Sequence, residues 1–356
     1  MQIDWTILQS RSFDRLRFPL AVAVVVLHHG VTLVLDATGA LRGLCIFFQE
    51  GICRLAVPAF FFFSGYLFYN KLQEWSWHEW GEKIKRRGWS LFVPYFLWNL
   101  ITFFAYWLYG NMQGESLSLR QHFANVGGLR MFWSVDGSLV HGEPVDGPLW
   151  FIRDLMVFTL FAPVWFQFFQ WTKIWGVCVL CAVFLFVPGI IPEGLLFFLV
   201  GAFFQLKGVN VVRMAWPFRK YIYLVSLVAL VAIYFCFDWE YGRRFVKVIF
   251  FFSGVASLLC LAAYTLLERK PKEHPFLVKS SFFIFAAHGV LILNEIVSPF
   301  MASVLPLDRM FWACCEFFLT PATAVLICLG LFFVMVQVFP RSAAILTGRV
   351  INFSKA

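Results

Sequence analysis

Charged residues are sparse in this sequence: Asp, Glu, Lys and Arg make up 14% of it, where soluble domains carry about a quarter. So low a charge excludes a disordered chain, which needs polar sequence to stay solvated, and an ordinary soluble enzyme. No polar stretch is long enough to fold alone as a soluble domain. Internal repeats and low-complexity tracts are absent too, which counts against transporters built from inverted repeats. Acids are the rarer sign, 20 against 29 bases, for a net charge of +9. The bases are dispersed over short loops without a basic helix, a zinc-finger spacing or an RNA-binding signature, so no nucleic-acid partner is expected. The nine cysteines lack metal-site company: Cys178 and Cys181 are spaced C-x-x-C in an apolar run with no His or carboxylate nearby. Cys45 and Cys53 flank the first loop and leave a disulfide open in an oxidising compartment. The first apolar segment lacks a small-residue cleavage site and is expected to stay as a signal anchor.

Hydrophobic residues, by contrast, supply 61% of the chain and aromatics 20%, the composition of an integral membrane protein. Apolar runs long enough to span, or nearly so, fall at 18–35, 52–70, 91–109, 149–169, 174–190, 194–206, 219–237, 246–267, 281–298 and 311–338. The expected fold is all-α: about ten transmembrane helices in one bundle, a single domain over 1–356. The runs 174–190 and 194–206, joined by "PGIIPEG", are shorter than the roughly 20 residues a crossing needs, so a re-entrant hairpin stays open for that pair. Lys and Arg concentrate on one side, as in Lys83, Lys85, Arg86 and Arg87, which makes that side and both termini cytoplasmic. Segment 71–90 mixes Trp75, Trp77 and Trp80 with these bases, as a helix lying in the membrane interface does, and 110–148 forms the main outer loop. The surplus of bases also favours anionic lipid headgroups or an anionic cytosolic ligand.

Within the first run, Arg17 and His28 stand eleven residues apart with almost nothing polar between them. Eleven steps of about 100° bring both to one helix face, separated by about 16 Å of rise. Arg17 alone reads first as a snorkelling positive-inside residue; its phase with His28 reverses that in favour of function. His28 and His29 lie in an otherwise aliphatic helix, where ionisable groups are costly, and His29 is turned about 100° off the Arg17 face. A neutral imidazole is the right general base to take a hydroxyl proton near pH 7. His288 lies nine residues beyond Lys279, at a comparable depth, and reads either as a second such group or as an interhelical hydrogen-bond partner. Arg153 and Asp154 fall inside an apolar run and should pair, whereas Glu143 and Asp146 precede it in a polar loop, where charge is normally solvated. Trp150 suits a sugar face or an aromatic belt.

The run "FDRLRFPLAVAVVVLHHG", with Asp14, Arg17 and His28, resembles the opening helix of the acyltransferase 3 family of integral-membrane O-acyltransferases. Further resemblances follow in order: "VPAFFFFSGYLFY" with Ser64 and Gly65, "KRRGWSLFVPYFLWN", "GPLWFIRDL" and "SSFFIFAAHGVLI". They cover about residues 10 to 340. Many family members carry a further arginine where this chain has Ser90, which implies a less basic donor site; no esterase-like domain follows, which implies a stand-alone member.

The resemblance implies transfer of an acyl group, most simply acetyl from acetyl-CoA, to a hydroxyl of a cell-surface or lipid-linked glycan at the inner membrane. Acyl-CoA is then a co-substrate, and no permanently bound cofactor or metal is expected. An acyl-CoA site needs cations at the membrane surface and a base deeper in, which Arg17 and His28 provide. The expected catalytic residues are His28, Asp14 and His288. Arg17, Arg86, Arg87 and Ser64 are assigned to the donor, Ser64 as a hydrogen-bonder rather than an acyl carrier. Glu143, Asp146, Trp150, Arg153 and Asp154 are assigned to the acceptor. A polysaccharide exporter or small-molecule transporter remains the alternative. The oligomeric state is not legible.

Overall fold

The computed structural model describes residues 3–29, 39–72, 74–138, 142–187, 193–269 and 274–349. The end of the first expected span, most of the "PGIIPEG" linker and the bases Lys270 and Lys272 lie outside them. Every regular element among the described residues is helical. The principal helices are α1 (Trp5–His28), α2 (Ala56–Phe68), α3 (Trp77–Arg87), α4 (Val93–Met112), α5 (Trp150–Leu160), α6 (Ala162–Thr172), α7 (Ile174–Phe186), α8 (Glu193–Leu206), α9 (Arg219–Phe235), α10 (Glu240–Glu268), α11 (Pro275–Ala287) and α12 (Met310–Val338).

Six helical stretches among the described residues are long and apolar enough to cross a membrane, or seven if a bent pair counts as one. The difference from ten has local causes. Arg11, Asp14, Arg15 and Arg17 crowd the first half of α1, and the described residues of the first expected span end at His29. The run 149–169 breaks into α5 and α6, bent by 63°, where Pro163 in the first turn of α6 cannot continue the ladder of α5. Helices α7 and α8 hold 13 and 14 residues, about 20 Å of rise and short of a 30 Å hydrocarbon core.

The described residues cluster into two compact units, 1–80 with 158–278 and 81–157 with 279–356. In the first, glycine decides how α2 meets α8. A Cβ on Gly65 would lie 2.0 Å from the Phe198 carbonyl oxygen, and one on Gly201 would lie 2.1 Å from that of Phe62. The two backbones therefore touch where Gly stands on each side, the small-residue crossing by which helices pack in lipid. Helix α1 joins them through Phe13, stacked on Phe63 at 4.5 Å. Its cap is conventional: Asp4 accepts from the amides of Thr6 and Ile7. Cys45 and Cys53 are both buried and are not joined in a disulfide.

In the second unit, Trp98 of α4 donates to the Leu346 carbonyl at 3.0 Å and meets Phe283 of α11, which in turn packs on Phe332 of α12. Described residues of the segment between α4 and α5 form short helical elements. The short helix Leu119–Asn125 carries a Ser118/Gln121 capping box, and its His122 bonds the Phe103 carbonyl at 3.2 Å.

Candidate functional site

Asp14, Arg17, His28 and Ser64 fall in the first unit; Arg86, Arg87, Glu143, Asp146, Trp150, Arg153, Asp154 and His288 fall in the second. In the first, Asp14 and Arg17, one helical turn apart, form an ion pair at 3.1 Å with both side chains about half exposed. An exposed pair of this kind contributes about 0–1 kcal/mol, so its consequence is the aim of the guanidinium rather than stability. His28 closes α1. Its Nδ1 lies 2.9 Å from the Val24 carbonyl. A carbonyl only accepts, so Nδ1 carries a hydrogen, and in the neutral ring the lone pair then falls on Nε2, where a general base would use it. The end of α1 is held from outside by Gln49, whose side-chain amide donates to the Val26 carbonyl at 3.1 Å and to that of His29. Gln49 sits on a π-helical segment, Ile46–Ile52, a local widening often found at functional sites. His29 is buried, while His28 and Ser64 are half-buried.

Arg86 and Arg87 end α3, Arg86 exposed with Nε on the Glu82 carbonyl and Arg87 half-buried. Arg153 is wholly engaged with neighbours. One end of its fork donates to Asp154 Oδ1 at 2.8 and 2.9 Å, and the other donates to the carbonyls of Trp133 and Gly142, both at 2.6 Å. The guanidinium also lies 5.0 Å from the Trp133 ring. The expected Arg153–Asp154 pair is present, and the main effect of Arg153 is to tie the segment between α4 and α5 to α5. Glu143 is exposed, and Trp150 is half-buried beside Phe151.

Asp146 departs from the sequence reading. A loop carboxylate is normally solvated, yet this one is fully buried, because its loop is drawn inward: the Asp146 amide donates to Asn99 Oδ1 at 3.2 Å, and Asn99 in turn donates to the Tyr95 carbonyl. Neither carboxyl oxygen of Asp146 has a hydrogen-bond partner of ordinary geometry among the described residues, nor has the hydroxyl of the equally buried Thr102, which faces it. Asp146 precedes the span that begins at Gly147, and burial holds its carboxyl well above the usual carboxylate range. Against it lies Gly289, next to fully buried His288. His288 repeats the arrangement of His28: Nδ1 lies 2.9 Å from the Ile284 carbonyl, which in the neutral ring puts the lone pair on Nε2. Just beyond, the helix breaks at Val290 and Leu291, the latter at φ +58°, and broken helices at membrane depth occur where they line protein or polar cavities.

The sequence reading passed over two groups. Lys247 and Arg54 sit inside apolar runs, the pattern that marks intramembrane ionisable residues, and Glu50 pairs with Lys247. Asn99 and Thr102 carry no signal of their own, because their burial follows from the inward course of a loop distant in sequence.

The family profile described as Acyltransferase domain matches residues 10–339. The chain belongs to the acyltransferase 3 family. A relative within reach of sequence comparison is the succinoglycan biosynthesis protein ExoH of Rhizobium meliloti (strain 1021), 24% identical over 205 residues, which are 55% of this chain and 54% of that protein. The chain thus aligns with about half the length of this curated relative. No solved structure matches. The matched region contains the six helical stretches long and apolar enough to cross a membrane, and the five quoted motifs, including those of Arg17 and His28, lie inside it as well.

Proposed function

We propose that the protein is an O-acyltransferase, in the simplest case an O-acetyltransferase, that moves the acyl group of acyl-CoA to a hydroxyl of a cell-surface or lipid-linked glycan in the inner membrane. The observation that carries this reading is the end of α1, where His28 Nδ1 meets the Val24 carbonyl, an arrangement that suits Nε2 as the base, on the same helix as the Asp14–Arg17 pair. Family membership supports acyl transfer, and the kinship with a polysaccharide-biosynthesis protein supports a glycan acceptor.

The chemistry runs as follows. The acceptor hydroxyl gives its proton to His28 Nε2 while its oxygen bonds the thioester carbonyl carbon. Collapse of the tetrahedral adduct breaks the carbon–sulfur bond, and the imidazolium returns the proton to the departing thiolate, leaving an ester and free CoA. Arg17, aimed by Asp14, binds donor phosphate through its fork of N–H groups. Arg86 and Arg87 are assigned donor phosphates as well, and Ser64 a hydrogen bond to the donor. In the second unit His288 is a further proton-handling group, and Glu143, Asp146, Trp150, Arg153 and Asp154 are assigned to the acceptor, the last two through the loop they hold. Purified protein in lipid nanodiscs, supplied with acetyl-CoA, should release thiol faster when a glycan acceptor is added. Absence of any thioester turnover would reject the reading.

A polysaccharide exporter is the alternative, and one observation favours it: the helix broken at Val290–Leu291 beside the buried, unpartnered Asp146, a feature that transporters share. Counterflow of glycan through proteoliposomes without acyl-CoA turnover would establish it instead.

A further inference from the structure

A second polar cluster lies in the first unit, on elements that carry none of the residues given roles above. Gln49, Glu50 and Arg54 follow one another along Ile46–Ile52 and the 3-10 turn Cys53–Leu55; Glu193 opens α8, and Lys247 lies on α10. Glu50 and Lys247 form an ion pair with side chains 24% and 18% exposed. Arg54 and Glu193 stand within electrostatic reach of both. Arg243 also acts on Glu50, but it donates to the Phe237 carbonyl and lies over the Phe237 ring. The cluster adjoins the His28 end of α1, because Gln49 is the residue that clamps it.

Three atoms here are buried without a hydrogen-bond partner among the described residues: Arg54 Nε, Glu193 Oε1 and Gln49 Oε1. Buried polar atoms left unmatched are costly, more so when charged, so such a group is normally completed by something else. The kind of atom and the charge together select what completes it. One unmatched atom donates and two accept, which a hydroxyl-bearing group satisfies because each hydroxyl does both. Two carboxylates and two cations sum to no net charge. An anion such as CoA phosphate would meet Glu50 and Glu193; a cation would meet Arg54 and Lys247.

We propose that this cluster is a subsite for a neutral glycosyl unit, whose hydroxyls accept from Arg54 Nε and donate to Glu193 and Gln49. The proposal rests on the reading of the protein as a glycan acyltransferase and names the acceptor's chemistry at residues beside the base.

The test uses the full-length protein in nanodiscs and measures binding of methyl glucoside, glucuronate and glucosamine by protection from thermal unfolding, with CoA as an independent probe and acetyl-CoA turnover measured in parallel. Methyl glucoside should bind the native protein, with the charged sugars weaker. Glu193→Gln and Arg54→Lys should each weaken methyl glucoside binding by about tenfold or more, the effect of losing a hydrogen bond to a charged group, while CoA protection stays as it was. Arg54→Lys separates ligand binding from scaffolding, since it keeps the cation and loses Nε. Unchanged glucoside binding in both variants overturns the proposal. So does equal binding of all three sugars, or the absence of glucoside binding by protein that turns over acetyl-CoA. Glucoside binding that follows the expected pattern without any acetyl-CoA turnover supports the subsite and rejects the enzymatic reading.

Discussion

A Cβ on Gly289 would lie 2.9 Å from Asp146 Oδ1 and 2.8 Å from Pro148 Cδ. The missing side chain is thus what admits the Asp146 loop against the broken helix that carries His288. Gly289→Ala should push that loop away and destabilise the protein by about 1–3 kcal/mol, the usual cost of overpacking. Thermal unfolding in nanodiscs checks this, and an unshifted midpoint would show that the loop relaxes without cost.

Asp146 itself predicts a pH dependence. Its carboxyl titrates well above the ordinary value in the folded protein because burial disfavours the charge. A group raised in this way contributes its full share of stability below the unfolded value of about 3.9, and that share is lost as pH rises toward the folded value. Asp146→Asn should remove this dependence, leaving the variant at least as stable as the native protein at neutral pH with a flatter unfolding profile on the acid side. A native profile that already rises with pH, with the variant following it in parallel, would contradict the assignment.

Arg153 should behave as a tie rather than as a ligand group. Arg153→Met strips Asp154 and the carbonyls of Trp133 and Gly142 of their donor at once, and breaking a nearly buried pair costs about 3–5 kcal/mol. The expected outcome is loss of folded yield together with protease sensitivity in the segment between α4 and α5. Normal folding with a selective loss of acceptor binding would instead make Arg153 a direct acceptor contact.

The parts of this picture legible in sequence are those that depend on neighbours along the chain. Helicity, the Asp14–Arg17 turn and the common face of Arg17 and His28 all follow from helix periodicity. Pro163 shows why one apolar run became two helices: a break is a local event, but a count of apolar residues averages over it. The Glu143–Asp154 stretch shows the opposite limit. Nothing within it reveals that Asp146 is buried and Glu143 exposed, since that follows from Asn99 and Gly289, some 50 residues before and well over 100 after. Glu50, Arg54, Glu193 and Lys247 are likewise visible one by one as charges in or beside apolar runs, and only the packing of four separate elements makes them a group.

Arg17 should act on the donor and not on the fold, since its ion pair is half exposed. Arg17→Ala should raise the dissociation constant for CoA by about tenfold or more, as loss of a charge-assisted hydrogen bond does, with unfolding unchanged. Titration calorimetry with CoA checks it. An unaltered constant would leave Arg17 as a membrane-surface anchor.

The claim on which the account depends most is that His28 Nε2 takes the acceptor proton, and single-turnover transfer by His28→Ala measures it directly. With CoA binding and protein abundance preserved, acyl transfer from radiolabelled acetyl-CoA should fall by about 10²–10⁴-fold, the contribution of a positioned base. Transfer at the native rate by that variant would contradict the account.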